Sequence, residues 1–206
     1  MSAQPTAPLP PIERRTSVSW NQADAFRRFT ADFAKWWPSG THSIGGKRVA
    51  RIVFECDVGG RIFEELVDGR RYQWGRITAW DPPRRVAFTW HPSRDESQAQ
   101  DVEVSFVPNA TGTEVVLVSS GWERLGAKAV RERKGYSIGW GSILDVFAGR
   151  RTAVFVLFAT LSHTITLFLN LTGRLDAEIE RAGGRMPAEI GVRVENHHSN
   201  ARQIGV

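Results

Sequence analysis

Trp74-Gly75-Arg76-Ile77-Thr78-Ala79-Trp80-Asp81-Pro82-Pro83-Arg84-Arg85-Val86-Ala87-Phe88-Thr89-Trp90 is the stretch that decides the fold. Val86, Phe88 and Trp90 fall on one side of a two-residue period and Ala87 and Thr89 on the other, the alternation of a half-buried strand. Asp81-Pro82-Pro83 cannot extend a ladder, because two prolines remove two backbone donors. A residue before proline is also pushed out of the helical region, so the turn is not a simple type I. The stretch therefore reads as two antiparallel strands folded about a proline turn. Three tryptophans in these 17 residues are more aromatic surface than a hairpin needs in order to be a sheet.

Alternating segments separated by turns continue on both sides. Arg48–Asp57 sets Ala50, Ile52, Phe54 and Cys56 against Val49, Arg51, Val53 and Glu55, and Val58-Gly59-Gly60 turns the chain into Arg61–Val67. Asp68-Gly69 is a tight-hairpin signal, since both positions tolerate positive φ. Asp101–Val107 and Thr113–Ser120 form a further hairpin, and Pro92–Gln100 before it is expected to be a polar, mobile loop. Ile12–Trp20 alternates weakly and is expected at a sheet edge or facing solvent. Strands joined in order by short turns predict an antiparallel meander of six or seven strands between residues 12 and 120.

Two helices flank the strands. Asn21 is placed to cap the first, Asp24 lies in its first turn, and Phe26, Phe29 and Phe33 recur at spacings of three and four. Pro38 and Gly40 are expected to end it after Trp36-Trp37, leaving Thr41–Lys47 as a glycine-containing lip that carries His42. Tyr136, Trp140, Ile143, Leu144 and Phe147 share one helical face and predict a helix over much of 125–148. Gly135, Gly139 and Gly141 weaken that helix by up to about 1 kcal/mol each relative to alanine. Such glycines are expected where another backbone or a bulky aromatic comes close.

Three blocks carry a family resemblance: AFRRFTADFAKWWP at 25–38, WGRITAWDPPRRVAFTW at 74–90, and Gly121-Trp122-Glu123 followed by Tyr136 and Gly139-Trp140. In this order they resemble the family named for the activator of Hsp90 ATPase, within the START/Bet v 1-like group of cavity proteins. The resemblance spans residues 12–148 or so. It implies an α+β helix-grip fold, a curved antiparallel sheet wrapped around a long carboxy-terminal helix with a cavity between them. It also implies a small hydrophobic or aromatic ligand in that cavity. A polyketide cyclase or hydrolase-like enzyme using the same cavity stays open. The family name further implies co-regulation of an Hsp90-type chaperone, which no residue here selects for.

Composition bounds the remaining classes. The 206 residues carry a net charge of +5, but the positive residues are scattered as Arg14-Arg15, Arg27-Arg28, Arg70-Arg71, Arg84-Arg85 and Arg150-Arg151. Without a basic helix or an RNA-binding signature this reads as solvated surface, not a nucleic-acid interface. The single Cys56 excludes an internal disulfide and a cysteine metal cluster. The amino terminus lacks a secretory pattern, which makes a reducing cytoplasm the default expectation.

No residue pattern assigns catalysis, a metal or a cofactor; His-Glu-x-x-His, dinucleotide and EF-hand signatures are absent from the sequence. The candidates for lining a cavity are Trp37, Phe54, Trp74, Trp90, Trp122, Tyr136 and Trp140, with His42 and Glu64 as its polar groups. His42 reads either as a surface loop residue or as a base. Glu64-Glu65 puts one carboxylate on each face of a strand. If Glu64 faces inward, desolvation raises its pKa and it could orient a ligand or act as a base. Otherwise it pairs with an arginine across the sheet.

The ends fit the pattern less well. Residues 1–11 are proline-rich and are expected to be a disordered lead-in. From Thr152 to Gly173, 22 residues pass without Asp, Glu, Lys or Arg, which matches the roughly 20 apolar residues a bilayer span needs. His163, Asn170 and several Ser and Thr residues weigh against a span. A membrane segment, a packed appendage, a surface for homo-oligomers and unselected sequence all stay open for 151–206. A domain complete by Phe147 implies separability. A chain ending near Arg150 is expected to be soluble and to melt cooperatively, whereas the full chain partitions with membranes or oligomers. Side-by-side expression and thermal melts check this, and unfolding on truncation would place 151–206 in the core.

Overall fold

The computed structural model describes residues 8–150. The expectations for 151–206, including the uncharged segment 152–173, lie outside the described residues. So does the first part of the lead-in. Residues 8–11 are held in place: Leu9 packs on the core, and the Arg133 guanidinium donates to the carbonyls of Pro10 (2.6 Å) and Pro11 (3.1 Å).

Seven strands form one antiparallel sheet, curled into a half-barrel. They are β1 (Ile12–Val18), β2 (Val49–Phe54), β3 (Arg61–Leu66), β4 (Arg71–Asp81), β5 (Arg85–Trp90), β6 (Gln100–Asn109) and β7 (Gly112–Ser120). The order β1-β7-β6-β5-β4-β3-β2 is the predicted meander, with β1 added at the edge beside β7. Val86, Phe88 and Trp90 are all buried, as the period of two requires. The Arg84 N–H donates to the Asp81 carbonyl (2.8 Å) and closes the turn around Pro82-Pro83, whose peptide bond is cis.

The sheet curls where its ladders shift register. Shifts fall between Ile62 and Phe63 in the β3–β4 pair and between Ile77 and Ala79 in the β4–β5 pair. Between them stands Gly75. A Cβ built there would come within 1.7 Å of the Thr89 carbonyl oxygen. At this point the Arg76 N–H donates to the Thr89 hydroxyl (3.0 Å). β2 ends at Phe54, earlier than the alternation suggests, because Glu55 turns its carboxylate onto the Arg61 N–H (2.8 Å) and guanidinium. Cys56 is consequently exposed beyond the strand.

The first helix departs from expectation. Asn21 does accept from the Asp24 N–H (2.9 Å), but α1 covers only Gln22–Phe29. Thr30 bonds its hydroxyl back to the Phe26 carbonyl (2.8 Å), a side-chain competition that interrupts helices. Phe33 restarts the chain as α2 (Phe33–Trp36). The helix does stop before Pro38: α2 ends at Trp36 and Trp37 is extended. The Pro38 carbonyl then accepts from the N–H groups of Thr41 and His42, so a separate short turn, α3 (Ser39–His42), takes in the first two residues of the expected lip. Phe26, Phe29 and Phe33 still share one buried face.

The long helix α4 (Ala129–Phe147) follows a tight 3-10 segment, Trp122–Lys128, and packs along β1. Trp140, Ile143, Leu144 and Phe147 are buried and Tyr136 is half-buried. The glycines act differently from the expectation. Nothing lies within 4 Å of a Cβ at Gly135 or Gly139, and at Gly141 the neighbour is the Arg14 side chain at 3.6 Å. No aromatic or backbone needs their smallness. The helix closes at Gly149 (φ +73), with the Arg150 N–H on the Asp145 carbonyl (2.8 Å) and the Gly149 N–H on Val146 (2.9 Å), a Schellman pair.

Gly75→Ala should test the β4–β5 approach. A methyl group against a backbone carbonyl cannot be relieved by a rotamer change, so the loss should exceed about 2 kcal/mol in urea unfolding. An alanine variant as stable as the parent would show that the strands can part there freely.

Candidate functional site

The aromatic candidates form one connected cluster between the sheet and the helices. Trp37, Trp74 and Trp90 meet pairwise, with ring centroids 5.3, 5.6 and 5.4 Å apart. Trp90 reaches Trp140 of α4 (5.4 Å), Trp140 reaches Tyr136 (6.4 Å), and Tyr136 reaches Trp122 (5.2 Å). Phe54 joins through Phe33 (5.2 Å) and Phe88 (5.9 Å). These residues arrive from six elements: the end of α2, strands β2, β4 and β5, the 3-10 segment, and α4, which supplies both Tyr136 and Trp140.

The indole N–H groups of this cluster are not equivalent. Trp122, fully buried, donates to the Ser119 carbonyl (3.0 Å), so it serves as a structural pin. Trp36, which packs beside Trp37, donates to the Arg28 carbonyl (2.8 Å). The Nε1 atoms of Trp37, Trp74 and Trp140 are buried and have no acceptor among the described residues. Buried polar groups are nearly always hydrogen-bonded, and each unpaired one costs about 1–3 kcal/mol. Three in one cluster are therefore a signal, one that the aromatic count alone did not carry.

Glu64 faces inward and is fully buried. It does not pair with an arginine; that role falls to Glu65 on the outer face, which meets Arg51 (3.0 Å) and Arg71 (2.5 Å). The Glu64 carboxylate accepts the N–H groups of Gly45 (2.6 Å) and Ile44 (3.1 Å). Burial pushes its carboxyl above the usual carboxylate range, and these two N–H groups pull against that rise. Glu64 thus fastens the segment after α3 to the sheet. His42 ends α3 with its ring edge-on to Trp37 (6.3 Å) and its Nδ1 2.8 Å from the Thr41 hydroxyl. Burial holds its pKa below the ordinary imidazole value.

Sequence reasoning missed the end of β5. His91 is buried, and Ala99 and Gln100 are buried within the segment expected to be a mobile polar loop. Its turn is built from bonds of the Asp95 carboxylate to the Ser97 N–H (2.9 Å) and of Arg94 to Gln100. The signal was weak, a lone His beside a Pro in a polar run.

A second pattern misleads in the other direction. Gly135-Tyr136-Ser137-Ile138-Gly139 has the Gly-x-Ser-x-Gly spacing of a hydrolase nucleophile elbow. Here the run lies inside α4, not on a strand-to-helix turn, and the Ser137 hydroxyl accepts from Arg14 of β1. The helical context removes the exposed, strained serine that chemistry requires.

Among the described residues no group of three His, Cys, Asp or Glu is placed to hold a metal ion, and no helix is long and apolar enough to cross a membrane. The family model described as activator of Hsp90 ATPase homolog 1-like protein matches residues 20–150. The chain belongs to this family. Its half-barrel sheet and long last helix are the helix-grip fold. None of the curated proteins matches the chain.

Several solved structures are similar to this family member. The protein NE0264 from Nitrosomonas europaea is 14% identical, covering 68% of this chain and 92% of its own, with a TM-score of 0.50. The protein MLL2253 from Mesorhizobium loti is 19% identical over 68% of this chain and 95% of its own, with a TM-score of 0.49. Txn09, described as an anthrahydroquino-gamma-pyrone synthase, is 34% identical over 69% of this chain and 97% of its own, with a TM-score of 0.49.

Glu64→Gln tests the inward carboxyl. The folded carboxyl holds its proton more tightly than the unfolded one, so in the window above the ordinary carboxylate pKa the native state binds more protons. The stability of the parent relative to Glu64→Gln should therefore be greatest at low pH and fall as pH rises through the raised pKa. Urea titrations across mildly acidic to neutral pH measure this difference. A flat or rising profile would mean that the two N–H groups outweigh desolvation.

Proposed function

We propose that this domain binds a small, flat, aromatic molecule that carries oxygen acceptors, held against the cluster of Trp37, Trp74, Trp90 and Trp140. The observation that carries this reading is the trio of buried indole N–H groups without an acceptor among the described residues. Aromatic side chains around a ring-shaped guest supply area and stacking, and a few placed donors supply orientation. A guest bearing carbonyl or phenol oxygens would satisfy donors that otherwise lower the stability of the fold. The buried cluster draws on the sheet and α4 together, so binding there would tie the two layers of the helix-grip fold.

Binding is preferred to turnover on one further ground. Glu64, the inward acid, is occupied by the N–H groups of Ile44 and Gly45. A group held by two donors is a fastener more readily than a proton shuttle.

Two measurements test the reading. Native mass spectrometry of freshly purified protein should show a small molecule retained at one per chain. Methyl 2-naphthoate added to stripped protein should quench tryptophan fluorescence saturably, and Trp140→Phe should weaken that binding by roughly the worth of one hydrogen bond, several-fold. Recovery of the molecule unchanged supports binding, and its conversion would instead establish an enzyme. No retained mass together with no quenching would refute the reading.

A further inference from the structure

Arg94, like Arg14, Arg28, Arg48 and Arg133, has no ion pair with a carboxylate among the described residues, and it is the one of these that lies against Tyr136 in the aromatic cluster. Most surface arginines have a carboxylate close by, as Arg15 has Glu114, Arg85 has Glu103 and Arg124 has Asp101. Such exposed pairs neutralise charge and contribute little stability. Arg94 is half-buried. Its guanidinium lies over the Tyr136 ring (5.3 Å to the centroid), which places the charge at one end of the tryptophan cluster. One of its terminal nitrogens donates to the Gln100 side-chain oxygen, while its Nε–H is buried without an acceptor among the described residues.

The surrounding turn is shaped to present this side chain. Ser93 adopts a left-handed backbone (φ +63), a strained conformation for a residue with a Cβ. The Arg94 N–H returns to the His91 carbonyl (2.9 Å), and His91 Nδ1 lies 3.2 Å from the Arg94 carbonyl oxygen. A carbonyl only accepts, so His91 carries its proton on Nδ1. His91 Nε2 is also buried and has no hydrogen-bond partner among the described residues. His91 is in turn fixed to β4 by its own N–H on the Trp74 carbonyl (2.6 Å). Arg94 Nε and His91 Nε2, three residues apart in one turn, are thus both buried without a hydrogen-bond partner among the described residues.

We propose that Arg94 is the anchor for an ionised carboxylate on the aromatic molecule that the cluster holds. This rests on the binding reading above and adds the substrate class: an aromatic acid, its rings against the tryptophans and its carboxylate on the guanidinium. A carboxylate supplies the acceptor that the Arg94 Nε–H lacks. It also supplies the counter-charge that arginines such as Arg15, Arg85 and Arg124 find on the surface. Charge-assisted bonds of this kind are roughly twice as strong as neutral ones, and arginine's planar fork matches the two oxygens of a carboxylate. Tyr136 beneath the guanidinium holds its plane in place.

The experiment compares 2-naphthoate with methyl 2-naphthoate, two probes of nearly equal ring area that differ in charge. Calorimetric titration of the full chain at neutral pH should show the acid binding about tenfold or more tightly, the scale of one charge-assisted hydrogen bond. The preference should shrink as salt is raised. Arg94→Met should abolish the preference while leaving the ester's affinity within about twofold, and Arg94→Lys should restore part of it. Equal binding of acid and ester by the parent chain would overturn the carboxylate anchor and leave the aromatic-ligand reading standing. A preference that survives in Arg94→Met would overturn the assignment to Arg94. Failure of both probes to bind would refute the aromatic-ligand reading and this proposal with it. Should Arg94→Met not fold, the acid-to-ester ratio of the parent and of Arg94→Lys still decides the question.

Discussion

A sheet that grips a helix must bend, and bending brings two backbones closer than side chains allow. Gly75 is where that demand is met. With the Thr89 carbonyl oxygen 1.7 Å from where a Cβ would stand, β4 and β5 could not hold this approach with any other residue at that position. The register shifts on either side, at Ile62/Phe63 and Ile77/Ala79, turn the strands on both flanks of the contact. The curl then aims Trp74 and Trp90 at each other and at Trp140 of α4. Without the close approach at Gly75, the tryptophans would line a flatter surface and would not form a cluster.

Charge is sorted by the alternation of faces along a strand. Carboxylates on the outer face, such as Glu55 and Glu65, sit among arginines that hold them below the usual carboxylate range, Glu55 at about 2. Glu64, one residue from Glu65 and on the opposite face, has no arginine beside it among the described residues, and burial shifts it upward against the N–H groups of Gly45 and Ile44. Neighbouring residues of one type thus have opposite electrostatics because a strand turns successive side chains to opposite faces.

Much of the architecture was legible because it rests on local periodicities. The Val86-Phe88-Trp90 alternation, the Asp68-Gly69 turn and the Tyr136–Phe147 spacing each specify an element without reference to the rest of the chain. The departures arise where a side chain competes with the backbone or where the deciding contact is distant. Thr30 interrupts the first helix through a bond to Phe26, and Glu55 ends β2 through Arg61. The aromatic members of the cluster were nameable from composition and placement. Arg94 and His91 were not, because their character depends on what surrounds them, and a polar run beside a proline gives no sign of burial.

The amino-terminal prolines have a consequence for how α4 is held. Pro10 and Pro11 have no N–H to donate, so this segment cannot join β1's ladder as a further paired strand, yet their carbonyls remain available to Arg133. The proline rings restrict the segment before it docks, so little chain entropy is lost when it does. The result is a short stiff strap across the helix, tied by one arginine and seated by Leu9. A protease cutting ahead of Leu9 would leave the strap in place, while one cutting behind Pro11 would release that tie on α4 with the seven strands still paired.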